Sequence, residues 1–433
     1  MMIKLNQNPI FIAVLLLGFH IPCYAFDLQD AWNAAKDYNA EYSAATHEKN
    51  AGLEAKKQGV AVLLPQISAN AVYQEQPQSM SNDAQSHGWN IQLQQPLFDV
   101  PKWQQYKQGK NKSKIADIRF NQMDSQLKLD IGKAYFQVLQ AQDNLTAIAA
   151  AKKAYQEQLE QVKAMFEVGA ATQVDIDEVQ SGFDAAVAKE VKSQSELNIA
   201  RNFLHNATGL NPDDIEPIKN KKLFDIVHLP KEEEWQQIAL QNNAELLLAQ
   251  LKLEQANTSV SEMRANRLPV LSVSGGYQDM RYKNESNNQT YRYGKRGYSV
   301  SVNLSVPLFA GGAINSKVKE AYELSMQAQD LLTATQRKVA LAVKQHYLSI
   351  HNGKSEMTAQ EKLLQSTQSK LQSTQMGFDV GLRTNLDVVQ ARQAQMDAQQ
   401  QLAQAKYAYL IAYLELLNAA GVLDDKREVF LIK

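Results

Sequence analysis

Cysteine is almost absent, because the chain has one among 433 residues. That residue, Cys23, lies within residues 1–25. These residues contain a single cation, Lys4, then an apolar run over 10–17, and they end in the small-x-small sequence Cys23-Tyr24-Ala25. Such a run is too short to remain as a membrane-spanning helix and is typical of a secretory signal peptide. We therefore expect residues 1–25 to be removed on export, which leaves a chain without cysteine and without a lipid anchor.

An excess of one charge sign is also missing. Lys and Arg number 45 against 46 Asp and Glu, so the formal net charge is −1. The charges are mixed along the chain, which gives no electrostatic footprint for nucleic acid. Beyond the N-terminal run, no apolar stretch approaches the ~20 residues that a helix needs to cross a bilayer. The sequence therefore excludes a helical membrane protein and predicts no nucleic-acid partner.

Catalytic patterns are missing as well. The histidines are scattered, and the sequence has no zinc motif, phosphate loop or nucleophile elbow. We therefore predict that the protein is not an enzyme and binds no cofactor or metal.

What the chain does contain is one ordered pattern that occurs twice. A Leu-Pro pair (64–65 and 268–269), a Pro-Leu-Phe triplet (96–98 and 307–309) and a Phe-x-Val-Gly segment (166–169 and 378–381) recur in the same order. A period of roughly 200 residues is too long for the unit of a solenoid. It indicates an internal duplication, with a first structural repeat over 26–219 and a second over 220–433.

Each predicted repeat has two stretches in which apolar and polar residues alternate, the period of a β-strand with one apolar face. In the clearest, Tyr298, Val300 and Val302 alternate with serines. We predict strands over about 66–75 and 88–97, and over about 270–278 and 298–306, joined by polar loops over 76–87 and 279–297.

The polar faces of these strands carry Ser, Asn and Gln and almost no charge. Aromatic residues stand toward one end of the apolar faces, at Tyr73, Trp89, Tyr277 and Tyr298. One such strand alone would fit a half-buried sheet on a soluble core, but the four together favour a β-barrel with a polar interior. Because even small barrels need about eight strands, several chains would have to build one wall.

Long helical hairpins follow the strands, over about 102–208 and 314–420. Apolar or small residues recur at steps of four and three, as at Leu127, Ile131, Ala134 and Val138, which predicts left-handed coiled coils. A first helix of roughly 65 residues would reach about 100 Å. Such helices alone would fit a soluble coiled coil. The neighbouring strands instead favour a hollow cylinder of helices whose inner and outer surfaces both contact water.

The Phe-x-Val-Gly segments are expected to form the tips of these hairpins. Glycine suits the turn, a threonine three residues later suits a helix N-cap, and an exposed valine suits contact with another protein. Simple turn chemistry would explain the same residues without any docking. The tip residues are Val168, Gly169 and Thr172 in the first repeat and Val380, Gly381 and Thr384 in the second.

With this double order, and with Gly311–Gly312 after the second Pro-Leu-Phe, the chain resembles the TolC family of outer-membrane efflux proteins over nearly its whole length. The resemblance implies a mixed α and β membrane protein that forms a homotrimer. Four strands per chain would give one 12-stranded outer-membrane β-barrel, continued by a long α-helical coiled-coil tunnel in the periplasm. Implied partners are a periplasmic adaptor (membrane fusion) protein, an inner-membrane pump of RND, ABC or MFS type, and outer-membrane lipid.

The resemblance also implies a periplasmic gate. Asp175 and Arg383 fall on positions that pair across neighbouring helices, and Asp387 falls on a ring of carboxylates. Gln390 stands at the second ring position, and Phe378 replaces an aromatic residue with a hydroxyl, which removes a link. Three copies of Asp387 around an axis would attract cations, although an aspartate near a helix N-terminus is also favoured by the helix dipole alone.

The sequence therefore predicts an outer-membrane channel-tunnel of a tripartite efflux or type I secretion system. It would passively conduct small toxic compounds or polypeptides from an inner-membrane pump to the exterior. The alternatives are a non-conducting coiled-coil structural protein of the cell envelope and a soluble coiled-coil binding module.

Overall fold

The computed structural model describes residues 25–78, 82–218, 229–286 and 289–423. The signal-peptide prediction, apart from Ala25, and the predicted boundary at 219/220 lie outside the described residues. The first half contains α1 (Leu28–Tyr38), α2 (Ala40–Ala61), β1 (Gln66–Gln78), β2 (Asn82–Phe98), α3 (Val100–Glu167) and α4 (Gln173–Thr208). The second contains α5 (Glu232–Asn242), α6 (Ala244–Ala265), β3 (Val270–Ser286), β4 (Gln289–Ser305), α7 (Ala313–Asp379) and α8 (Asn385–Ala420).

The four strands form one antiparallel sheet in the order β1-β2-β3-β4. The strands β2 and β3 pair although a whole helical hairpin separates them in sequence. The sheet therefore joins the two halves of the duplication, and β1 and β4 are left as its edges.

The strands run further than the alternation predicts. Residues 279–297 were predicted as a loop, but β3 extends to Ser286 and β4 begins at Gln289, so most of this stretch is paired strand. The same holds for most of 76–87 in the first hairpin. Polar and charged residues predominate on these extensions, which removes the apolar alternation while the backbone pairing continues. Stacked rings of Tyr282 and Tyr293, with centroids 4.9 Å apart, cross the second extension.

The sheet has two chemically distinct faces. On one face Ile91 is level with Tyr277, which is level with Tyr298, and Tyr298 is 86% exposed within one chain. On the other face Asn70 Nδ2 donates to Asn90 Oδ1 at 3.1 Å. Since the strands are longer than predicted, the aromatic residues lie partway along them, at the border between the apolar face and the charged extension.

The long helices begin at local capping signals. Asp99 accepts a hydrogen bond of 3.0 Å from the backbone N–H of Lys102, and Pro101 occupies the first turn of α3. The helices α3 and α7 contain 68 and 67 residues, close to the length of roughly 65 residues predicted for the first helix of each hairpin. Within the described ranges, every helix lacks an apolar segment of the length and hydropathy needed to traverse a bilayer.

The main core lies where α3 meets α8, midway along the long helices. Phe136, Leu414 and Leu416 are fully buried there. Gly132 of α3 permits this approach, because a Cβ at that position would collide with Leu414 Cδ1. Trp32 of α1 packs on the same core and donates from Nε1 to the Lys128 carbonyl at 2.8 Å, so the short helices brace the middle of the long ones.

Candidate functional site

Both helical hairpins end in the same tight turn. The turn between α3 and α4 has Gly169 at φ +77°, and the turn between α7 and α8 has Gly381 at φ +76°. An added Cβ at either glycine would meet no other atom within 4 Å. Glycine is therefore required by the left-handed backbone and not by crowding.

Each turn leads into a capping box. Thr172 donates from its backbone N–H to Asp175 Oδ2 at 2.8 Å and from Oγ1 at 2.7 Å, and the Asp175 N–H returns a bond to Thr172 Oγ1 at 3.3 Å. Thr384 and Asp387 repeat the arrangement, with the Thr384 N–H donating at 3.0 Å. The predicted capping role of both threonines is thus confirmed.

These bonds keep both carboxyl groups ionised. Hydrogen bonds from Thr172, then from Asn385, hold the pKa of Asp175 below its usual value. Hydrogen bonds from Thr384, with a smaller contribution from the nearby Arg383 charge, do the same for the pKa of Asp387. Each tip therefore carries a fixed negative charge at neutral pH.

The two tips are joined by an amide side chain that sequence reasoning missed. Asn385 Nδ2 donates to Asp175 Oδ1 at 3.1 Å, and Gln158 Nε2 of α3 donates to Asn385 Oδ1 at 3.3 Å. Asn385 is only 2% exposed. The network connects α3, α4 and α8. The sequence does not predict it, because an asparagine directly after an N-cap threonine is usually interpreted as part of the turn.

The other predicted gate residues lie around the second tip. The ion pairs of the described residues do not include one between Asp175 and Arg383 within a single chain. The Arg383 side chain lies instead over Gly377, where an added Cβ would be 2.8 Å from Arg383 Cγ. Phe378 is half-buried.

Gln390 lines a groove of about 780 Å³ between α4 and α8, together with Tyr155 and Val389. Tyr155 closes the floor of this groove, donating from its hydroxyl to the Val389 carbonyl at 3.2 Å. The Arg392 guanidinium lies 5.5 Å from the Tyr155 ring centroid. Burial lowers the pKa of Arg392, and the stacked ring favours its charged form.

The ends of the tips are apolar and uncovered. Val168 is 79% exposed, Val380 is 70% exposed, and Leu382, which the sequence analysis did not single out, is 81% exposed. The structure thus brings Asp175 together with the second tip through Asn385, and presents a small apolar surface at the far end of the helices.

Known proteins are similar to this chain over nearly its whole length. A family model described as outer membrane efflux protein matches residues 32–210 and 235–422. Outer membrane protein TolC of Vibrio cholerae serotype O1 is 30% identical over 421 residues, 96% of this chain and 96% of that protein. Proteases secretion protein PrtF of Dickeya chrysanthemi is 27% identical over 437 residues, 98% of this chain and 94% of that protein.

A solved structure agrees in fold. The outer membrane protein VceC from Vibrio cholerae superposes with a TM-score of 0.77 at 16% identity, covering 91% of this chain and 96% of that one. The likeness therefore extends over both the strands and the long helices.

Proposed function

The chain belongs to the outer membrane efflux protein family, and we propose that three copies form one passive exit duct for cargo delivered by an inner-membrane pump. It is an outer-membrane channel with its helices in the periplasm. The family's description as outer membrane efflux protein supports small toxic compounds as cargo, and the relative named proteases secretion protein PrtF supports polypeptides.

The sheet is the observation that carries this proposal. Its order leaves β1 and β4 with unpaired edges, and unpaired backbone groups are very costly in lipid. Pairing β4 of one chain with β1 of the next closes the wall, and three chains supply twelve strands. The large apolar side chains Tyr298 and Val300, 86% and 74% exposed in one chain, would then face lipid while the Asn and Ser face lines the pore.

The tip network is the proposed gate. The link from Asn385 to Asp175 holds α8 against α4, and opening would move one hairpin as a rigid unit once such links break. Pairing of Asp175 with Arg383, and a cation-attracting ring of Asp387 with Gln390 at the second position, belong to the same proposal.

The tips are the proposed docking surface for the periplasmic adaptor, which would connect the duct to the pump. Val168, Val380 and Leu382 are apolar, exposed and at the end of the molecule furthest from the sheet. Their valines occupy matching places in the two halves, so a trimer would present six similar tips to a partner ring.

Conductance in planar lipid bilayers tests the duct. The purified trimer should insert and conduct, and Asn385→Ala should raise the conductance by loosening the tips. A trimer that inserts yet stays silent, with and without Asn385→Ala and Asp175→Ala, would contradict the proposal.

A further inference from the structure

A single cation occupies the polar face of the sheet. The bond between Asn70 and Asn90 and the 2.7 Å contact between the Ser274 and Ser301 hydroxyls mark this face. Strand pairing places on it the even positions 66–76, 84–94 and 270–284 and the odd positions 289–305. Among these described positions, Lys295 is the one residue whose side chain is charged at neutral pH. The polar face therefore carries one positive charge in each chain.

The surroundings of Lys295 on this face are uncharged. Lys295 is exposed and is level with Met280, which is level with Gly88. Along β4 its neighbours on the same face are Tyr293 and Gly297. The ion pairs of the described residues do not include Lys295. The connections between the strands read Ser-Met-Ser at 79–81 and Asn-Asn at 287–288, so their sequence adds no acid.

Assembly of the proposed trimer also brings no acid to this face. The edge strand β4 would pair with β1 of the next chain. The polar-face residues of β1 over 66–76 are Gln, Ser, Asn, Val, Gln and Gln, so pairing anywhere along this range leaves Lys295 beside an uncharged side chain. Glu75 of β1 lies on the apolar face, where the Tyr73 hydroxyl donates to it at 3.4 Å.

We propose that the three Lys295 side chains of the trimer form a positively charged ring at the outer mouth of the pore, and that this ring favours anionic over cationic solutes as they leave. The inference rests on the trimeric duct of the proposed function. Lys295 is three residues beyond Tyr298, about 10 Å along the strand, and aromatic side chains such as Tyr298 mark the level of the membrane interface. Rings of Lys or Arg select anions in pores.

The ring can act across the whole pore. Twelve strands about 4.8 Å apart and tilted by about 40° enclose a barrel with a radius of about 12 Å. The Debye length is about 10 Å at 0.1 M salt and about 30 Å at 0.01 M. A solute on the axis is therefore within reach of all three charges at low salt.

The acids at the helix tips do not neutralise this ring. Asp175 and Asp387 lie at the far end of helices of 68 and 67 residues, which span about 100 Å. That separation is roughly ten Debye lengths at 0.1 M salt. The duct would thus carry negative charge at its inner end and positive charge at its outer mouth.

Cysteine labelling of the reconstituted trimer tests the ring. Gly297→Cys places a thiol on the polar face two residues from Lys295, about 7 Å along β4, and an added Cβ at Gly297 would meet no atom within 4 Å. The one cysteine of the sequence, Cys23, lies in the predicted signal peptide. The rates at which an anionic and a cationic methanethiosulfonate reagent modify this thiol report the local charge.

Removal of the lysine from this reporter protein should change the ratio of the two rates. Lys295→Gln should lower the ratio of anionic to cationic labelling about fivefold at 0.01 M salt, and the difference should almost vanish at 1 M salt, where the Debye length is about 3 Å. Lys295→Arg keeps the charge and should keep the ratio. Arg292→Gln removes a cation from the opposite face of the same strand; it is the matched control and should also keep the ratio.

Equal ratios in the reporter protein with and without Lys295→Gln would overturn the ring. An equal fall in the ratio with Arg292→Gln would also overturn it, because the charge that matters would then lie outside the pore. A thiol that reacts with neither reagent would place this face away from water, with the same consequence. Bilayer conductance of the reporter trimer tests the duct separately: a trimer that conducts with an unchanged ratio contradicts the ring alone, and a trimer that never conducts contradicts the duct.

Discussion

Asn385 Nδ2 donates a hydrogen bond of 3.1 Å to Asp175 Oδ1, joining two helix tips that are 210 residues apart in sequence. The buried amide also accepts from Gln158 at 3.3 Å. This link is one of several that join the two hairpins of a chain near the tips, since Tyr155 of α3 also donates to the Val389 carbonyl of α8 at 3.2 Å. The proposed gate can therefore be tested with small substitutions that leave the helices intact.

The first prediction concerns this link. Asn385→Ala should raise the conductance of the reconstituted trimer, because it removes the amide between α4 and α8. A hydrogen bond to a charged group contributes about 1.5–3 kcal/mol, and exposure of Asp175 reduces this to about 1 kcal/mol, or roughly a fivefold shift toward the open state. Gln173→Ala is the matched control, since Gln173 donates to Asp177 within α4. Conductance equal to that of the unmodified trimer would remove Asn385 from the gate.

The second prediction is a pH dependence of the same gate. The pKa of Asp175 is depressed by Thr172 and Asn385, so its contribution to the closed tip is complete above the unfolded value of about 3.9 and is lost as pH falls through the lower folded value. Conductance should therefore rise as the solution is acidified below about pH 4. Asp175→Asn cannot titrate, and its conductance should lack the Asp175 component of that rise. An identical acid response in both proteins would assign the effect to other groups.

The third prediction concerns a partly buried ion pair in the middle of the tunnel wall. Glu415 accepts from Lys133 Nζ at 2.6 Å and lies 3.2 Å from His346 Nδ1, and hydrogen bonding from His346, with that from Lys133, lowers the pKa of Glu415 to about 2. Glu415→Gln should lower the Tm at neutral pH. The loss should shrink as pH falls below about 4.3, the usual pKa of a glutamate, toward the folded pKa of about 2.

The matched control is Glu54→Gln, which breaks the Lys57–Glu54 pair of 2.7 Å on the surface of α2. Both of its side chains are more than half exposed, so the Tm should hardly change. Equal Tm values for the two variants would mean that partial burial adds nothing to the stabilising effect of the Glu415 pair.

The fourth prediction concerns the α3–α8 crossing. Gly132→Ala should lower the Tm, because the new Cβ would collide with Leu414 Cδ1 and overpacking costs about 1–3 kcal/mol. Gly353→Ala is the control in α7, where an added Cβ would lie 3.4 Å from Tyr409 Cδ2. Both changes gain about 1 kcal/mol of helix propensity, so a fall confined to position 132 isolates the contact. A Tm that rises at both positions would show that Leu414 can move aside.

The sequence predicted the features that have a local signature. The Thr-x-x-Asp spacing at Thr172 and Thr384 predicts a capping box, because all of its bonds form within four residues. The alternation at Tyr298, Val300 and Val302 predicts a strand with one apolar and one polar face. The upper parts of the hairpins were missed since residues such as Arg281 and Lys283 interrupt the apolar face without interrupting backbone pairing. Asn385 was missed because its partner lies in the other half of the chain, and only the fold brings them together.

The fifth prediction concerns docking at the tips. Val168→Ser together with Val380→Ser should leave the trimer assembled and conducting but reduce capture of a periplasmic adaptor. Each removed side chain is more than two-thirds exposed, so its loss costs the fold little, while a docked partner would lose an apolar contact on every tip.

Crosslinking in intact cells from cysteines placed at Ala170 and Leu382, followed by identification of the attached protein, measures the effect. Val191→Ser, 67% exposed on α4 away from the turn, should leave the crosslinks unchanged. If the double variant crosslinks as the unmodified protein does, the adaptor contacts another part of the helices, and the groove between α4 and α8 lined by Gln390 becomes the next surface to test.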